Sequence, residues 1–255
     1  MAGGEATRVR DPKAGVSDLP VRLASAIVML VLAGGALWLG SWFWTAFVAL
    51  IAIGVVWEWN KLIERFGMGG LGETVWFFAG VVYVGGAALA MVIVRNGLTD
   101  FFPESPIRGS GPLGVLVVFI LPIIAVDVGA YFAGRAIGGP KIAPKISPAK
   151  TWAGLGGGAL LASLVGVVVE LTDFGPAAAP GTSSLALGMA VFTGVLIAVI
   201  AQAGDFFESW MKRRAGVKDS GALIPGHGGL FDRLDGFLAV FFVLFVIATL
   251  PALLG

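Results

Sequence analysis

The 27 residues Ser209–Asp235 carry eight charged side chains and the only histidine of a chain that is otherwise 57% hydrophobic. Charge beside a bilayer costs several kcal/mol per group unless it is paired, metal-bound or wet, so such a cluster marks a site for chemistry. Just upstream, Asp205 and Glu208 stand at i and i+3, sharing one helix face. Carboxylates of this kind supply the hard oxygens that Mg²⁺ takes, usually one or two of them completed by phosphates and waters. Asp219, Asp232 and Asp235 add further carboxylates to the cluster, and Glu208 has the alternative of pairing with Lys212 or Arg213. Lys212, Arg213, Lys218 and Arg233 are matched to phosphate. His227 stands between Gly226 and the pair Gly228 and Gly229, a frame in which backbone N–H groups can turn toward a bound anion. A neutral imidazole there would bond a phosphate or a nucleobase rather than act as a general base.

Two further groups carry chemistry. Lys145–Trp152 reads as the start of a helix with Ser147 as N-cap and Pro148 at the first helical position, leaving N–H groups and the positive dipole end to meet a phosphate, helped by Lys150 and Thr151. Asp127 follows a long apolar run; a carboxylate at that depth must face the interior of a bundle, either touching substrate or paired with a Lys or Arg. Glu58, between Trp57 and Trp59, reads instead as part of an interfacial aromatic belt.

These residues need a scaffold, and composition says which kind. A mean hydropathy of +0.92 with only 13% charged residues describes a polytopic membrane protein, all-α, since every backbone group in hydrocarbon must be satisfied within its own segment. Apolar runs long enough to span lie near residues 24–40, 42–58, 74–94, 111–133, 153–171, 183–205 and 235–254, with the first two forming a hairpin at Gly40–Ser41. With the N-terminus inside, 15 of the 17 Lys and Arg residues fall on the inner side and only Arg95 and Arg108 on the outer, which the positive-inside rule favours. That orients the chain N-in and C-out, with residues 1–20 a cytoplasmic tail, residues 21–255 the membrane-embedded catalytic domain, and no cleavable signal peptide. The outer connections near 95–110 and 172–182 read as linkers. The inner ones, 134–152 and 206–233, are basic and glycine-punctuated. Gly154, Gly156, Gly157 and Gly158 offer close helix packing. The absence of Cys excludes disulfides and thiol catalysis, and no nucleic-acid module is present.

Ser209, Lys212-Arg213, Lys218-Asp219, Pro225, His227-Gly228-Gly229 and Asp232-Arg233-x-Asp235 resemble, in order, the signature of phosphatidate cytidylyltransferases, the CDP-diacylglycerol synthases. Ser147-Pro148-x-Lys150-Thr151-Trp152 and Asp127-x-Gly129-Ala130-Tyr131-x-x-Gly134-Arg135 resemble two further elements of that family. Ala149 and Ala153 stand where its box usually has a Lys and a Glu, so Glu208 or Asp127 is expected to serve as the missing partner. The resemblance implies CMP transfer from CTP to phosphatidic acid with release of pyrophosphate. It implies Mg²⁺ on Asp205 and Asp232, with Asp219 and Asp235 as weaker ligand candidates and room for a second cation, and phosphates divided among Lys212, Arg213, Lys218, Arg233, Ser147 and Lys150. It further implies an integral protein of the bacterial inner membrane, working at its cytoplasmic face beside membrane lipids, with a homodimer left open and no nucleic-acid partner. The rival readings are a CTP-dependent polyprenol or phytol kinase and an ion-coupled transporter. Charge gathered at one face of the membrane argues against the transporter.

Overall fold

The structure, a computed structural model, describes residues 18–96, 114–172 and 183–254. The N-terminal tail, most of both outer connections, and with them Arg8, Arg10, Lys13 and Arg108, lie outside the described residues. Among the described residues, seven helices are long and apolar enough to cross a membrane. They are α1 (Asp18–Leu39), α2 (Ser41–Glu64), α3 (Gly70–Asn96), α4 (Leu121–Ala136, entered through a π-helical turn over Leu116–Ile120), α5 (Trp152–Glu170), α6 (Ser184–Arg214) and α7 (Phe231–Leu254). The expected spans are all present. Their polar ends are longer than hydropathy suggests, because amphipathic turns such as Asp205–Arg214 continue the helix beyond the apolar run.

The turn between α1 and α2 uses Gly40 and Ser41 in left-handed conformations, φ 62° and 46°. Arg95 closes it: its Nε donates to Leu37 O at 2.6 Å and its Nη2 to Trp38 O at 3.2 Å. Those carbonyls are the unsatisfied end of α1, which accounts for a cation at this end of the bundle.

One expectation fails locally. Ser147 is not a helix N-cap: Ser147–Thr151 is a strand, β2, paired antiparallel with β1, Lys141–Ala143. The cap is Thr151, extended at φ −119° and ψ 157°, whose Oγ1 accepts from Gly154 N at 3.0 Å. A residue preceding proline avoids the helical region, so Ser147-Pro148 favours extended chain, and the helical period starts only at Trp152.

Glycine sets how α4 and α5 meet. A Cβ on Gly129 would collide with Gly157 O, and one on Gly158 would come within 2.8 Å of Val126 O, whereas Gly156 faces open space. On the other side of the bundle, Trp59 is the hub of an aromatic core, 5.7 Å from both Phe207 and Phe231, and its Nε1 donates to Trp76 O. The aromatic-belt reading of WEW holds for Trp57, exposed and stacked under Lys61 Nζ at 3.4 Å. For Trp59 and Glu58 it is overturned, since both are buried. A helix ending at the membrane surface still has one face against its neighbours, and residues 58 and 59 lie on it.

Candidate active site

Helices α6 and α7 run antiparallel, and each carries acids three residues apart. Asp205 and Glu208 ascend toward the polar end of the bundle while Asp232 and Asp235 descend from it. The acids therefore meet in two layers about 4.5 Å apart along the helices. In the deeper layer, Asp205 and Asp235 are electrostatic neighbours, joined by Asp127 from α4. Lys150, at the end of β2, pairs with Asp205 Oδ2 at 2.5 Å. The partner of Lys150 is thus Asp205 itself, neither Glu208 nor Asp127. Asp127 is exposed at this opening although it belongs to a membrane-spanning helix.

The upper layer is closed. Lys212 Nζ lies 2.7 Å from Glu208 Oε2 and 2.7 Å from Asp232 Oδ1. Asp232 Oδ2 accepts from Ser220 N at 2.9 Å, Ser220 Oγ at 3.0 Å and Gly229 N at 2.9 Å. Asp232 therefore ties the two ends of the loop 215–230 together and locks Lys212 to them. Within the loop, Ile224 and Gly228 pair as an isolated bridge, and Gly226, at φ 75°, takes the left-handed position of the turn after Pro225. Lys218 and Asp219 remain exposed on this framework.

Three contacts bring distant elements to the same end. Arg213 Nε reaches Ile146 O of the hairpin at 3.4 Å. His227 Nδ1 lies 2.9 Å from Ser25 Oγ on α1, and the start of that helix packs Arg22 against Gly226. Arg233 Nε and Nη2 both donate to His227 O, at 3.1 and 2.6 Å, so this arginine holds the loop as well as presenting charge. Thr151, buried, spends its hydroxyl on the cap of α5, leaving Ser147 and Lys150 as the polar groups of β2 nearer the opening. Sequence reasoning missed Ser25, Ser220 and Glu58. Single Ser residues give no signal, and Glu58 was masked by its tryptophan neighbours.

A hard divalent cation can be tested against these donors. Among the described residues no three His, Asp or Glu side chains converge on one point. Asp232 has one oxygen on Lys212 and the other filled by three donors, and it lies in a different layer from Asp205. Asp205 is one-quarter exposed and holds only Lys150 and a long contact from Ser209 Oγ at 3.4 Å. Asp205, with Asp127 beside it, fits an ion that takes one or two carboxylates and completes its shell with phosphate and water.

The profile of the cytidylyltransferase family matches residues 80–250. This stretch begins within α3 and includes the hairpin and both acid layers. The chain belongs to the cytidylyltransferase family. Among its curated relatives, a phosphatidate cytidylyltransferase of Brucella suis is 32% identical over 93% of this chain and 96% of its own length. One from Pseudomonas aeruginosa is 32% identical over 87% and 93%. One from Haemophilus influenzae is 42% identical over 49% of this chain and 42% of the relative. The profile begins after α1 and α2, which the Brucella suis relative's alignment over 93% of the chain largely includes, and both helices send side chains into the loop that the profile covers.

Proposed function

We propose that this integral membrane protein transfers CMP from CTP to phosphatidic acid, forming CDP-diacylglycerol and pyrophosphate. The observation that carries the reading is the opening around Asp205. A lysine, three carboxylates and the hairpin end gather where a helix long and apolar enough to span a membrane exposes Asp127, which supports a site open to a lipid phosphate. Basic side chains of the hairpin and loop, Lys145, Arg213, Lys218 and Arg233, line the polar side from which a soluble triphosphate approaches.

In the reaction, a phosphatidate oxygen attacks the α-phosphorus of CTP in line; the new P–O bond forms as the bond to the bridging oxygen breaks and pyrophosphate leaves. No covalent enzyme intermediate is required. Lys150 holds Asp205 in place and offers its charge to one phosphate, while Arg213, Lys218 and Arg233 offset the repulsion between two polyanions. Lys212 acts from within, holding α6 to Asp232 and so to the loop. Asp205, with Asp127, would hold Mg²⁺, which supplies charge neutralisation on the reacting phosphates. The basic residues argue for this face being cytoplasmic, with the chain N-in and C-out in a bacterial inner membrane.

The test is product identity. Purified protein with labelled CTP and phosphatidic acid should yield CDP-diacylglycerol and pyrophosphate in equal amounts. CDP together with a phosphorylated lipid alcohol would instead establish the kinase reading.

A further inference from the structure

Glu58 is fully buried at the polar end of α2. Its Oε2 accepts from Phe231 N at 2.9 Å and Ser220 Oγ at 3.1 Å, while Oε1 is buried without a partner. Two glycines of the loop make room for it. A Cβ on Gly221 would collide with Glu58 Oε1, and one on Gly229 would press on both carboxylate oxygens. Neither glycine has a left-handed φ. At Gly229 the nearest atom is Ser220 Oγ, so close packing around the Glu58–Ser220 pair, not backbone conformation, is what demands glycine at both positions.

We propose that Glu58 is a positioning residue for CMP transfer, anchoring from α2 the loop that carries Lys218, Asp219 and His227; the assignment of a role in turnover rests on the proposed activity. A buried carboxylate costs free energy that an apolar side chain beside the Trp59 cluster would not. What it supplies is an acceptor for an otherwise free N–H in the first turn of α7, where negative charge suits the helix dipole. It also clamps Ser220. That hydroxyl carries one hydrogen and lies between Glu58 Oε2 and Asp232 Oδ2, so the two carboxylates hold the loop jointly. Without Glu58 the loop keeps Asp232 and its backbone bonds, so it shifts and loosens while the bundle remains. Displacing reacting groups by about 1 Å costs on the order of 100-fold in rate.

The experiment uses the full chain, with kcat and the KM for CTP and for phosphatidate measured per folded protein. Glu58→Gln keeps an oxygen for both hydrogen bonds, puts its amide nitrogen in place of Oε1, and should stay within about three-fold of the unaltered chain. Glu58→Ala, Glu58→Asp and Gly221→Ala should each lower kcat roughly 10- to 100-fold. In the Glu58→Ala background, Gly221→Ala should cost about two-fold or less, because its methyl enters vacated space. A nitroxide at Ala222→Cys, in a chain with no other Cys, should give a sharper resonance spectrum with Glu58→Ala and an unchanged one with Glu58→Gln. If Glu58→Ala does not fold, Gly221→Ala against Glu58→Gln carries the same test. The proposal is overturned if Glu58→Ala leaves kcat, both KM values and the spectrum unaltered, or if Gly221→Ala costs as much with Glu58 absent as present. An unaltered chain that makes no CDP-diacylglycerol, with spectra that differ as stated, would remove the proposed activity and leave the anchoring intact.

Discussion

Lys212 gives the sharpest test of the geometry, because sequence and structure assign it different work. As a phosphate ligand it should matter to substrate affinity; as the centre of the upper layer it should matter to folding. Its side chain is 14% exposed, between Glu208 at 1% and Asp232 at 9%. Lys212→Met keeps the stem and removes the charge. Removing one partner from a buried pair costs about 3–5 kcal/mol. Asp232 keeps three N–H and O–H donors, so most of the loss falls on Glu208, whose Oε1 already lacks a partner. The lower figure, about 3 kcal/mol, is therefore expected. For a chain of this size it corresponds to a fall of roughly 6–12 °C in unfolding temperature. Adding Glu208→Gln replaces the stranded carboxyl by a neutral amide of the same size and should recover part of that loss. The assay is thermal unfolding in one detergent, followed by tryptophan fluorescence, with kcat and KM on the same preparations. An unchanged unfolding temperature with a raised KM for CTP or phosphatidate would refute the buried-triad account and return Lys212 to the substrate.

Other outcomes follow from the same layers. Asp205→Asn should lower turnover by about 100-fold or more at saturating Mg²⁺ with little change in unfolding temperature, whereas Asp232→Asn should lower both; equal effects on stability would contradict the division of roles. Thorough chelation should abolish turnover and added Mg²⁺ restore it, so full activity in chelated membranes would count against the ion on Asp205. Thr151→Ala should cost about 1 kcal/mol through loss of the α5 cap, read as a lower unfolding temperature, and Thr151→Ser should restore most of it. In sealed cells, a membrane-impermeant thiol reagent should label Ser184→Cys and not Ala215→Cys; the reverse pattern would invert the orientation.

Hydropathy alone determined the seven helices, because a span must satisfy its backbone internally and must be about 20 apolar residues long. The same sequence located the polar end of the bundle, since Lys and Arg cluster in the connections 134–152 and 206–233, and its motifs named the family. Spacing also held a signal that only the fold could decode: i, i+3 acids on two helices become two layers once those helices are antiparallel neighbours. That Asp205 meets Lys150 while Asp232 meets Lys212 depends on which helix lies beside which, at separations of 55 and 20 residues. Ser147-Pro148 has the pattern of a helix start as well as of extended chain, and pairing with Lys141–Ala143 decides for the strand. Glu58 was the deepest miss. Its local sequence is that of an interfacial belt, and its role arises from a hydroxyl 162 residues away and a backbone N–H 173 residues away. Apolar burial is additive along a chain and so is legible in it; a buried carboxylate takes its meaning from donors that tertiary packing alone brings within reach.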